Sequence, residues 1–142
     1  MTLHLVSVTA RNQIGVLARV SRQFARRGIN FPAFVADDSG IHFVTKDRAA
    51  AVTALQEAGL VYVTTEVHEV LLEDRPGSLA DLCEQLAAAE IDIEVAFGVT
   101  NNGTGRLYIH VDDLKRAAPI LNSITESDIA VATGLGRIPM TA

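Results

Sequence analysis

The stretch QIGVLA at residues 13–18 returns as RPGSLA at 75–80, and each follows a β-branched run and opens a helix-like one. Shifting the chain by 62 residues carries Gly15 onto Gly77, Leu17 onto Leu79 and Ala18 onto Ala80. The same shift carries Phe24 onto Leu86, Ile29 onto Ile91, Asn30 onto Asp92 and Phe31 onto Ile93. Four further residues enter the second copy before the next matched strand, near the turn clusters ADDSG and TNNGTG, after which Ile41 falls on Leu107, Phe43 on Ile109 and Leu55 on Leu121. A repeat of this length means that one supersecondary unit occurs twice, and it limits the chain to folds built from a pair of such units.

Each copy reads alike. LHLVSV and VHEVLL are short aliphatic and β-branched runs, hence strands. Positions 17, 20, 21 and 24, and 79, 82, 83 and 86, keep the i, i+3, i+4, i+7 spacing of an amphipathic helix. INFPAFVA and IDIEVAFGV follow as strands, each closed by a turn cluster and a hairpin partner, IHFVTK or RLYIHV. Asp47 and Asp113 sit as N-caps before RAAAVTALQEAG and LKRAAPILNSI, and LVYVTTE and IAVATGL end the copies as strands. The order strand-helix-strand-strand-helix-strand, twice, predicts an α+β chain of two ferredoxin-like units, each an antiparallel sheet with both helices on one face. The expected domains are residues 1–65 and 66–142, placed side by side in one continuous sheet that hides an edge of each.

Size and charge agree with two interdependent units. The chain has 142 residues, and a lone unit of about 70 would be marginal. Hydrophobic residues make up 49% and aromatic ones only 5%, so an aliphatic core is expected. A net charge of −5 argues against nucleic acid as a partner. Residues 1–65 carry seven Lys+Arg and four Asp+Glu, whereas 66–142 carry five and thirteen. No basic leader, apolar run of membrane-spanning length or pair of cysteines is present, which leads to the expectation of a cytoplasmic protein without membrane attachment.

At the two glycine turns the chain resembles the ACT domains, and more closely the small tandem-ACT proteins. EDRPGSLADLCEQLAAAEIDI is similar to the family's strand, Asp-x-Pro-Gly-x-Leu turn, helix and Ile-Asn-Ile strand, with Asp92 in place of the Asn. ARNQIGVLARVSRQFARRGINF keeps Gly15 and Leu17, with Asn12 and Gln13 for Asp-Arg and Ile14 for Pro. The resemblance implies a regulatory, allosteric module that binds a small ligand, usually an amino acid, between its units and carries out no catalysis. With no DNA-reading helix and no catalytic domain, such a module passes its output to a regulated enzyme or other protein partner, or merely buffers ligand, and a homodimer is left open. In the arrangement the family suggests, a first site joins Asn12, Gln13, Ile14, Gly15, Val16 and Leu17 to Ile93 and Glu94. A second joins Asp74, Arg75, Pro76, Gly77, Ser78 and Leu79 to Asn30 and Phe31.

Elementary chemistry supports such sites. A glycine before a helix admits a ligand close to the backbone. The first helical N–H groups lack partners, and the helix dipole adds positive charge, so a carboxylate is welcome there. Asn12 and Asp74 are oxygen donors for an ammonium. Arg75 adds a cation to the second turn, and Pro76 fits the first helical position.

The remaining candidates read as structure. Cys83 lies in an apolar stripe and is expected in the core. His4, His42, His68 and His110 are scattered through strands with no metal-ligand spacing; His68 and His110 either meet across neighbouring strands or, as is commoner, face solvent, and no cofactor motif or catalytic residue is legible. TNNGTG reads as a hairpin tip. The alternative function is a ferredoxin-like RNA-binding or protein-interaction module, with Phe43 and Tyr108 as the aromatics available to stack on bases.

Overall fold

The computed structural model describes residues 2–9 and 14–132. In chain order the elements are β1 (Thr2–Val8), α1 (Val16–Arg26), β2 (Ala33–Asp37), β3 (Gly40–Thr45), α2 (Arg48–Glu57), β4 (Tyr62–Glu73), α3 (Ser78–Ala88), β5 (Ile93–Asn101), β6 (Thr104–Val111) and α4 (Leu114–Ala132). They fall into two units, one covering Thr2–Glu66 and the other beginning at Val67. The two strands expected at 60–66 and 67–72 are a single strand, β4. No glycine or proline occurs from Tyr62 to Glu73, so nothing in the local sequence breaks the extended run.

In the first unit the strands lie in the order β2-β3-β1-β4, the ferredoxin-like order, with β3 antiparallel to both β1 and β2. Val6 and Val8 lie opposite Phe43 and Ile41. By strand alternation all four point to one face, where they share a core with Val20 and Phe24 of α1 and with Ala51, Ala54 and Leu55 of α2. Phe24 and Phe43 meet edge-on with ring centroids 4.9 Å apart. Burying a ring of that size contributes on the order of 1.5–3 kcal/mol. Asp47 caps α2 by accepting the Ala50 amide at 3.0 Å, a contribution of about 1 kcal/mol.

The second unit repeats the pattern with β4-β6-β5, antiparallel throughout. Val70 and Leu72 of β4 and Leu107, Ile109 and Val111 of β6 pack under Leu82 and Leu86 of α3 and Ala117 and Leu121 of α4. Cys83 is half-buried at the margin of this stripe. The β5–β6 hairpin is longer than its counterpart because the four extra residues of the second copy lie at its tip. There Asn102 and Gly103 hold φ of 53° and 80°, as a two-residue type I′ turn requires.

The expected strand at 129–135 is not formed where it is described: residues 129–132 belong to α4, and 133–135 lie outside the described residues. The helix supplies what a strand would otherwise give the neighbouring backbone. Thr125 Oγ1 accepts the Leu71 amide at 3.1 Å, and Asp128 Oδ2 accepts the Glu73 amide at 3.0 Å. Two N–H groups of β4 are thereby satisfied by α4 side chains, and Asp128 is buried in the process.

Candidate functional site

Both glycine turns adopt the same unusual backbone. Gly15 has φ 89° and Gly77 has φ 96°, left-handed values that a side chain disfavours, and each is the N-cap of the helix that follows. The Gly15 carbonyl accepts the Arg19 amide at 3.0 Å, and the Gly77 carbonyl accepts the Asp81 amide at 2.8 Å. Pro76 precedes the cap, whereas the sequence reading placed it inside the helix; α3 begins two residues later, at Ser78.

The helices differ in how they begin. α2 is capped by Asp47, and α4 by Asp113, whose Oδ1 accepts the Arg116 amide at 3.0 Å. Among the described residues α1 and α3 have no side-chain cap. At the start of α3 the Ser78 amide donates to the Arg75 carbonyl at 3.3 Å, so the amides that follow it, together with the positive end of the helix dipole, are what this turn presents.

Beside the Gly77 turn the second unit forms a cleft of about 510 Å³. Asp74, Arg75, Ser78 and Leu79 line one side, and Gly98, Thr100, Gly105 and Leu107 of the hairpin line the other, with Leu72 of β4 below. Its floor follows from the register: Leu72 and Thr100 both lie opposite Gly105, and Leu107 lies opposite Gly98. A glycine in each row lowers the floor. The hairpin tip also braces the turn, since the Asp74 amide donates to the Gly103 carbonyl at 3.0 Å. Ser78 is buried, and its hydroxyl donates to the Glu73 carbonyl at 2.6 Å.

The charges around this cleft are largely engaged with one another. Arg75 Nε donates to Glu73 and Arg75 Nη2 to Asp81, both at 2.9 Å, and these two carboxylates hold its pKa above the ordinary arginine value. The guanidinium expected to face a ligand is thus tied into an ion-pair bridge. Arg106 pairs with Glu69 at 3.4 Å. Asp74 is exposed, and its carboxylate has no ion pair or hydrogen bond among the described residues.

The other expected site residues are distributed as follows. Asn12 and Gln13 lie outside the described residues. Ile14 and Leu17 are exposed, and Val16 packs against the first unit's core. Ile93 packs against the second unit's core, and Glu94 pairs with His110 at 3.1 Å. Asn30 and Phe31 line a different cleft, of about 340 Å³ in the first unit, with Arg27, Lys46 and Asp47. The Phe31 ring belongs largely to an aromatic cluster, 4.9 Å from Phe43 and 5.8 Å from Phe34.

Sequence reasoning missed Leu72, Gly98, Thr100, Gly105 and Leu107. The signal that pointed to the hairpin part of them was the four-residue interruption of the repeat, which was read only as a gap. His68 was also misread. It is buried, its Nε2 donates to Asn122 Oδ1 at 3.0 Å, and burial lowers its pKa from the ordinary 6.5. Its face of β4 is the one packed against α4, which one strand's composition does not disclose. Phe43 and Tyr108 are 0% and 1% exposed, so neither offers a ring to a nucleic-acid base. No helix of the described residues is long and apolar enough to cross a membrane, and no group of three potential metal ligands occurs among them.

The sequence profile of the family described as an ACT domain pair matches residues 1–131. Among solved structures, protein BT0572 from Bacteroides thetaiotaomicron superposes with a TM-score of 0.77 at 23% identity, over 87% of this chain and 88% of that one. The regulatory subunit of aspartate kinase from Thermus flavus superposes with a TM-score of 0.64 at 18% identity, over 90% and 92%. E. coli aspartokinase III in complex with lysine and aspartate gives a TM-score of 0.61 at 12% identity, over 89% of this chain and 31% of that one. Identities this low establish a shared fold. No curated protein matches the chain by sequence.

Proposed function

Because this chain belongs to the ACT domain pair family, we propose that it is a regulatory module without catalytic activity, and that an amino acid binds in the cleft beside the Gly77 turn. The observation that carries the reading is the uncapped start of α3 opening on a cleft that also holds one unengaged carboxylate, Asp74. A zwitterion matches both groups. Its carboxylate suits the first free amides of α3, and its ammonium suits Asp74. The fold shared with an aspartokinase that was crystallised with lysine and aspartate lends support.

A module of this kind acts by binding one state of itself or of a partner better than another. A regulated enzyme or other protein, or a second copy of the chain, is the recipient of the signal.

Thermal unfolding in the presence of each of the twenty amino acids tests the reading. A ligand at about 100 times its dissociation constant stabilises by about 2.7 kcal/mol, which raises the melting temperature by roughly 5–11 °C in a domain of this size. Asp74→Ala should abolish that rise and leave the unliganded melting temperature unchanged. If no amino acid shifts the transition, the ligand assignment is wrong.

A further inference from the structure

Resting on the reading just proposed, we infer that the cleft selects an amino acid with an uncharged aliphatic side chain. A charged side chain needs a countercharge, and among the described residues the cleft has none to spare. Glu73 and Arg75 are paired with each other, Arg75 is paired also with Asp81, and Arg106 is paired with Glu69. Asp74 is taken by the ligand's ammonium. To bind a lysine or glutamate side chain, the cleft would have to break one of these pairs or leave a charge without a partner.

The surfaces left for the side chain are apolar. Leu72, Leu79 and Leu107 supply aliphatic walls, and Gly98 and Gly105 supply floor without side chains. Leu79 is 53% exposed, so an apolar ligand would cover hydrophobic surface now open to water. Thr100 turns a methyl toward the same floor: a Cβ built at Gly105 would lie 3.6 Å from Thr100 Cγ2 and 3.5 Å from Leu72 Cβ. The Leu72 carbonyl oxygen lies 3.5 Å from the same point, so the space above Gly105 is a mostly aliphatic recess with one backbone oxygen at its edge.

That geometry supplies a variant which narrows the recess without straining the chain. The Cβ contacts at Gly105 are ordinary van der Waals distances, and its φ is not in the left-handed region. Gly105→Ala should fold normally and intrude on the ligand's side chain. One methyl in a hydrophobic pocket is worth roughly 10–200-fold in affinity.

The experiment is isothermal titration of the full chain with valine, leucine, isoleucine, methionine, lysine, arginine, aspartate and glutamate, repeated on Gly105→Ala and on Leu79→Asp. The expected result is binding of one or more of the first four, weakened at least about 10-fold by either variant. Leu79→Asp changes an exposed side chain and keeps the test valid should Gly105→Ala fold poorly. Tightest binding of a charged amino acid to the unaltered protein overturns the aliphatic class and leaves the site reading standing. Aliphatic binding that neither variant weakens overturns the recess as its location. Absence of binding by all eight overturns the aliphatic class, and only silence of all twenty amino acids in the thermal screen overturns the reading on which it rests.

Discussion

Gly15 and Gly77 occupy the same place in two copies of one motif, and both hold a left-handed backbone, with φ of 89° and 96°. Their surroundings differ. A Cβ at Gly15 would meet nothing within 4 Å, whereas one at Gly77 would lie 3.3 Å from Arg75 Nη1. Alanine at either position should cost about 1–2 kcal/mol from the backbone alone. Gly77→Ala should in addition disturb the Arg75 bridge to Glu73 and Asp81. Asparagine tolerates this conformation better than alanine, so Gly77→Asn should melt above Gly77→Ala. Equal melting temperatures for the two variants would show that the left-handed conformation is not what the glycine provides.

The two glycines of the cleft floor should respond oppositely to alanine. A Cβ at Gly98 would fall 2.7 Å from the Arg106 carbonyl oxygen, a backbone atom that cannot step aside. Gly98→Ala should therefore destabilise by roughly 1–3 kcal/mol, and Gly105→Ala should leave the urea midpoint nearly unchanged. A tolerated Gly98→Ala would mean that β5 and β6 sit farther apart than the register implies.

His68 should make stability fall on mild acidification. Its Nε2 hydrogen is given to Asn122, and its other nitrogen, Nδ1, is buried with no hydrogen-bond partner among the described residues, so a second proton there has no described acceptor. Burial holds its pKa below 6.5, so the unfolded chain binds more protons than the folded one in the interval between the two values. The contribution of neutral His68 is complete above pH 6.5 and is lost as pH falls through the folded value. Urea midpoints measured at pH 7.5 and pH 5 should show this decline. His68→Gln keeps a donor for Asn122 and should flatten it. An unchanged slope in that variant would assign the effect to other groups.

The Asp128–Glu73 hydrogen bond ties α4 to the strand that leads into the cleft. Asp128→Ala leaves a backbone N–H of β4 without its acceptor and should cost about 1–3 kcal/mol. Asp128→Asn keeps an oxygen there and should cost less than half as much. Amide exchange at Glu73 is the direct readout: it should accelerate in the alanine variant and stay slow in the asparagine one.

Much of this molecule was legible in local sequence. The repeated glycine turns, the aspartate caps at 47 and 113, the Asn-Gly hairpin tip and the apolar stripes of α1 and α3 each depend on residues within a few positions of one another, and their backbone geometry follows from nearby chemistry. The fold class followed from their order. Other features depended on contacts between distant segments. The segment at 129–132 is helical where its β-branched composition suggested a strand, and the α4 residues just before it, Thr125 and Asp128, take up amides of β4. His68 is buried because its face of the strand meets α4. Arg75 is engaged because Glu73 and Asp81 converge on it from a strand end and a helix turn. The cleft exists because cross-strand register sets Leu72 and Thr100 opposite Gly105 and Leu107 opposite Gly98. Sequence alone determined the turns, the caps and most of the elements, since hydrogen bonding and backbone sterics act over short spans of chain. Tertiary structure alone decided which side chains are paired, buried or left lining the cleft, since those outcomes belong to residues that meet only after the strands have found their register.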